Sequence, residues 1–340
     1  MAGAEAVQLH IAIPDDDEQT VPARLQILGI VTKMVKLDFD LQRDVPDLAG
    51  KVLLITGGTN GLGAAAAKML ASRSPAKIYI TGRKEDAAQQ TISGIRAADS
   101  TVQVEWIRCD HADLDSFKET AERIMAQESR LDVLMANAGI MALPPALTSN
   151  GHEIHFGINH VAHALLIRLL LPLLQKTAKD HGEARVIPVS SLSIVFAPRG
   201  GIVFDDLKTT QAYWFFGKWQ RYAQSKLANL LCGRELARRY PDILTLVADP
   251  GPSNTGLITS LGWLDRMIVY LGNWNKFLDD DKGHWSQVWL VGVPKDEAKS
   301  GEMYEPVGVL SRSYTEHCLD EILAARLWDW TEEELGPWLN

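Results

Sequence analysis

Residues 51–70 read Lys51-Val-Leu-Leu-Ile-Thr56-Gly57-Gly58-Thr59-Asn60-Gly61-Leu62-Gly63-Ala-Ala-Ala-Ala-Lys68-Met-Leu70. A short apolar run enters a glycine-rich turn, and an alanine-rich run leaves it. Strand, turn and helix start in that order put a pyrophosphate on the backbone N–H groups of a helix N-terminus. Gly57 permits the tight turn, Gly61 lets the backbone approach phosphate, and Gly63 lets helix and strand pack closely. Thr59, Asn60 and Leu62 complete the turn as candidate cofactor contacts.

The same rhythm continues outward. Strand-like runs occur at Lys51–Thr56, Lys77–Thr81, Val102–Arg108, Leu131–Ala136, Arg185–Ser190 and Ile243–Ala248. Helical apolar spacing lies between them, as at Gly63–Ser72, Asp115–Gln127 and Tyr222–Tyr240. Apolar strands bracketed by helices indicate βαβ units and a parallel sheet covered on both faces. The expected fold is α/β, a single doubly wound Rossmann-type sheet spanning residues 51–310. Residues 1–50 form an N-terminal extension with a short helix in Ala23–Leu37, and residues 311–340 a helical tail packed on the same domain.

Composition narrows the function. The 340 residues are 46% hydrophobic, so a large core is affordable, and the net charge of −9 does not suit a basic face for nucleic acid. Three distant cysteines and nine histidines show no metal-ligand spacing, so no metal is expected. Asp15, Asp16, Asp17 and Glu18 stand where a signal peptide would be apolar, and Arg168 interrupts the apolar stretch Ala164–Leu174. A cytoplasmic chain with no membrane span is expected.

The second strand ends in Thr81-Gly82-Arg83-Lys84, without the carboxylate that usually binds a ribose 2′-OH. Arg83, assisted by Lys84, suits a 2′-phosphate, so NADP(H) is the expected cofactor. Tyr222 and Lys226 share one helix face at i, i+4. An adjacent ammonium is expected to lower the phenol pKa and make Tyr222 a usable acid–base group. Ser190, Ser191 and Ser193 follow the fifth strand, where a hydroxyl reaches the same sheet edge.

These motifs together resemble the short-chain dehydrogenase/reductase family, over about Lys51 to Gly308. Tyr222-Ala-Gln-Ser-Lys226 is similar to the retinol-dehydrogenase-like branch and to fungal reductases of secondary metabolism. The resemblance implies that Ser191, Tyr222, Lys226 and Asn159 are catalytic. It implies that Asp110 holds adenine, that Asn137, Ala138 and Gly139 line the cofactor, and that Pro250, Gly251, Ser253 and Thr255 form the nicotinamide-side loop. It further implies a carbonyl reductase, a homodimer and a substrate lid at 252–275. The fold also admits a lyase or isomerase, or a silent cofactor-binding regulator. Aromatics at Tyr213, Trp214, Phe215, Phe216 and Trp219, an apolar stretch at Leu257–Leu271 and seven tryptophans after Gly251 point to a bulky apolar small-molecule substrate.

Overall fold

The computed structural model describes residues 37–214, 216–252, 263 and 282–339. The expected helix at Ala23–Leu37 and the lid at 252–275 fall, except for Leu37, Pro252 and Trp263, outside the described residues, as do Ser253, Thr255 and Phe215. Six strands form one parallel sheet: β1 (Val52–Ile55), β2 (Lys77–Gly82), β3 (Gln103–Arg108), β4 (Val133–Ala136), β5 (Arg185–Pro188) and β6 (Leu244–Thr245). Their order is β3-β2-β1-β4-β5-β6, so the crossovers wind outward in both directions from β1 and β4. The fold is the expected α/β doubly wound sheet.

Side chains alternate across each strand and feed two cores. Val52 and Leu54 face one core; Leu53 and Ile55 face the other. The first core is covered by α3 (Leu114–Gln127), α4 (Ala162–His181), α5 (Gly217–Arg239) and α7 (Glu321–Leu339). The second is covered by α1 (Gly61–Ala71), α2 (Glu85–Ala98) and α6 (Trp285–Gly292). Most of the described C-terminal tryptophans pack the body rather than line a pocket. Trp285 meets Phe39 at 5.2 Å, Trp330 meets Phe156 at 5.7 Å, and Trp338 Nε1 donates to Asp115 Oδ1 at 2.7 Å.

Three local differences from the sequence reading have physical causes. The run Ile243–Ala248 divides into β6 and β7 (Val247–Ala248), and β7 pairs instead with β8 (Met303–Glu305), which pairs with β9 (Val309–Leu310). Leu246 N–H donates to Val186 O at 3.0 Å, but the next rung needs an N–H at position 188, where Pro188 has none. The helix carrying Tyr222 begins at Gly217, not at Tyr222, because Trp219 and Ala223 already bury one stripe. Finally, Ile154–His181 runs continuously through a π turn at Gly157–Val161 and is long and apolar enough to cross a membrane. Its most apolar window is 83% buried inside the fold, which marks a core helix.

Candidate active site

Because the central strands are parallel, their carboxyl ends share one edge, and the motif residues gather there. Gly57 adopts φ +66°, a conformation that favours glycine. A Cβ at Gly63 would strike the Asn137 amide nitrogen and stand 2.6 Å from Gly57 O, so only glycine lets α1 approach the turn so closely. A Cβ at Gly61 would meet nothing within 4 Å, leaving the cradle open at the start of α1. Asn60 caps that helix by accepting from Gly61 N–H at 2.8 Å. The cradle fits a pyrophosphate: open backbone N–H groups at a helix N-terminus and no side chain filling the space.

Arg83 and Lys84 follow β2 and are exposed, and neither side chain makes a hydrogen bond or ion pair with a described residue. Asp110 follows β3, exposed, with one carboxylate oxygen accepting from Ala112 N–H at 3.1 Å. Asn137 binds the turn through Thr56 O at 2.8 Å and is itself held by Gln287 at 2.7 Å. Pro250 and Gly251 follow β7 at the same edge, Gly251 with φ +69°.

The four expected catalytic residues converge. Ser191 caps a 3-10 turn by accepting from Ser193 N–H at 3.2 Å, and its hydroxyl is turned toward that of Tyr222, whose ionised form it favours, while Ser193 Oγ is buried without a hydrogen-bond partner among the described residues. Ser190 is occupied elsewhere, donating to Lys226 O at 2.7 Å. Lys226 Nζ donates to Val189 O at 2.9 Å and lies 5.8 Å from the Tyr222 ring centre. Gly139 bridges the group, since a Cβ there would stand 3.2 Å from Asn159 Oδ1 and 3.4 Å from Lys226 Nζ. Asn159 is fixed through its amide, which donates to Ser225 Oγ at 2.9 Å and Ile140 O at 3.0 Å.

The electrostatics correct one expectation. Tyr222 is not lowered: burial pushes its pKa up to about 12, opposed by the Ser191 hydrogen bond. Burial also pulls Lys226 down to about 8, against the charge of Asp249. Desolvation is the largest influence on both groups, because both are enclosed.

Several functional neighbours escaped the sequence reading. His163 Nδ1 donates to Asn159 O at 3.0 Å, so its Nε2 accepts from the Thr56 hydroxyl at 2.8 Å. Thr56 Oγ1 in turn accepts from Asn137 N–H and Ala138 N–H, at 2.9 and 3.0 Å. One histidine thus ties Asn159 to the cofactor turn, and burial holds it neutral with a pKa near 3. Arg221, immediately before Tyr222, is fully buried against Glu153 at 3.1 Å and donates to Leu143 O and Gln211 O. Glu153 also accepts from His155 Nδ1 at 2.8 Å. The signals were a charged residue beside the motif tyrosine and a histidine one turn beyond Asn159, but neither shows its partner in sequence.

The family profile described as short chain dehydrogenase matches residues 51–203. A short-chain dehydrogenase/reductase of Aspergillus calidoustus is 34% identical over 305 residues, covering 86% of this chain and 95% of that one. Retinol dehydrogenase 14 of Homo sapiens is 34% identical over 304 residues, covering 84% and 87%. A solved structure from Mycobacterium paratuberculosis, 28% identical, has a TM-score of 0.66 and covers 86% of this chain and 96% of that one. The chain belongs to the short-chain dehydrogenase/reductase family of oxidoreductases, in its retinol-dehydrogenase-like type.

Proposed function

We propose that this chain is an NADP(H)-dependent reductase that converts a carbonyl on a bulky apolar small molecule to the alcohol. The observation that carries the reading is the meeting of Ser191, Tyr222 and Lys226 beside an open glycine cradle at one sheet edge. When bound, the nicotinamide supplies the hydride.

The remaining work belongs to the chain. Tyr222 donates its hydroxyl proton to the carbonyl oxygen as negative charge develops there. A phenol pushed up to about 12 stays protonated at neutral pH, which favours the acid role and hence reduction. Ser191 holds the same oxygen by a hydrogen bond. Lys226 stabilises the tyrosinate left behind and grips the nicotinamide ribose. Asn159, locked by its own amide, positions a water that returns protons to Lys226.

Arg83 supports the choice of NADP(H), since an exposed guanidinium that makes no hydrogen bond or ion pair with a described residue is available to a 2′-phosphate. Arg83→Ala is expected to weaken NADPH binding by about 1.5–3 kcal/mol and leave NADH almost unchanged. Titration of both cofactors by fluorescence decides it; equal losses would remove Arg83 from the 2′-phosphate site.

The substrate class rests on a small apolar cluster apart from both cores: Met141, Ala142, Phe216 and Trp219. Beside it Leu143 is 40% exposed and Trp214 fully exposed, and the human relative is named for retinol. Better turnover of small polar carbonyls than of large apolar ones would defeat this part of the reading.

A further inference from the structure

Strand β7 ends at Ala248, and Asp249 follows it into the site with 3% of its surface exposed. Its backbone N–H donates to Tyr304 O at 2.8 Å, which fixes it to the sheet. Its carboxylate accepts from Gly251 N–H at 3.4 Å, and the Leu192 N–H, directed toward it, favours its ionised form. Leu192 directly follows Ser191, and Gly251 lies in the turn after Pro250. One side chain therefore joins the turn that aims the serine to the turn on the nicotinamide side. One parallel bridge reinforces the junction: Val189 pairs with Ala248 through Ser190 N–H, which donates to Ala248 O at 2.8 Å.

A carboxylate so placed also has an electrostatic role. Among the described residues, the titratable groups that face it are Tyr222 and Lys226 on α5 and Glu305 on β8. Its charge supports the Lys226 ammonium, which steadies the tyrosinate left when the proton is given, and it raises the Tyr222 pKa directly. We propose that Asp249 is a positioning residue of the reaction, clamping the Ser191 turn to the Pro250–Gly251 turn and supplying the negative charge that faces Lys226. This rests on the reading of Tyr222 as proton donor.

Burial and Glu305 push Asp249 up to about 7, so it is mostly ionised where Lys226 titrates, near 8. Lys226 loses its proton far below Tyr222, so the alkaline limb of activity belongs to Lys226. Removing the carboxylate charge lowers the Lys226 pKa further, and the limb moves to lower pH.

The test compares native protein with Asp249→Asn and Asp249→Ala, reading the pH dependence of kcat/KM and of NADPH affinity. Asn keeps an acceptor for both N–H groups and loses only the charge. Its alkaline limb is expected to fall by about half a pH unit or more in both measurements. Asp249→Ala is expected to show the same shift with an added loss of NADPH affinity, because the clamp is gone. Asn profiles that superimpose on the native ones would overturn the assignment. Should the native protein turn over no carbonyl, the proton-donor reading fails, and the NADPH-binding limb still decides whether Asp249 acts on Lys226.

Discussion

Tyr222→Phe is expected to lower turnover by about a hundredfold or more while NADPH still binds. The substitution removes one oxygen from a ring that is already 7% exposed, so packing around it barely changes. What disappears is the hydroxyl that meets Ser191 and would meet the substrate oxygen. Neither Ser190 nor Lys226 is placed to replace it: Ser190 is committed to Lys226 O, and Lys226 Nζ to Val189 O. Steady-state kinetics with NADPH and a ketone measure the effect, and cofactor fluorescence shows whether binding survives. Turnover within a few fold of native would take the proton-donor role away from Tyr222.

The largest expected effect on stability comes from the residue before it. Arg221→Leu should cost about 3–5 kcal/mol, the scale for breaking a buried ion pair by removing one partner. Glu153 is fully buried, and without the guanidinium its charge keeps only the His155 and Phe156 N–H groups. Leu143 O and Gln211 O lose their donor in the same step. These carbonyls belong to the two segments that flank the apolar cluster, so KM for the substrate should rise as well. Urea unfolding measures the stability. Adding Glu153→Gln to Arg221→Leu should recover part of the loss, since the orphaned charge is then gone. A loss below about 1 kcal/mol would show that water or another cation reaches Glu153.

The frame of this protein was legible because its determinants are local. Thr56 to Gly63 announces a turn by glycine spacing, and Tyr222 with Lys226 announces a shared face by helical spacing. The family resemblance already singles out Ser191 among three serines, and the structure commits Ser190 to Lys226 O. The hidden parts depend on partners far along the chain. Thr56 and His163 meet across 107 positions, and Glu153 reaches Arg221 from a different segment. Asp249, ahead of Pro250, carries no mark in the sequence; its burial and the approach of Leu192 N–H exist only in three dimensions. The phenol expectation erred for a related reason: spacing places Lys226 near Tyr222 but does not reveal how completely both are removed from water. The break after Thr245 was readable in principle, since Pro188 withdraws one N–H from the ladder, but only after the pairing register is known.

Tyr222 and its neighbours are expected to direct a hydride from NADPH to a carbonyl carbon. Incubating native protein with NADPH deuterated at the transferring position and a bulky apolar ketone tests it in one step. The account predicts loss of reduced-cofactor absorbance matched by an alcohol carrying one deuterium on the carbinol carbon. Product without deuterium, or bound NADPH that no carbonyl oxidises, would contradict it.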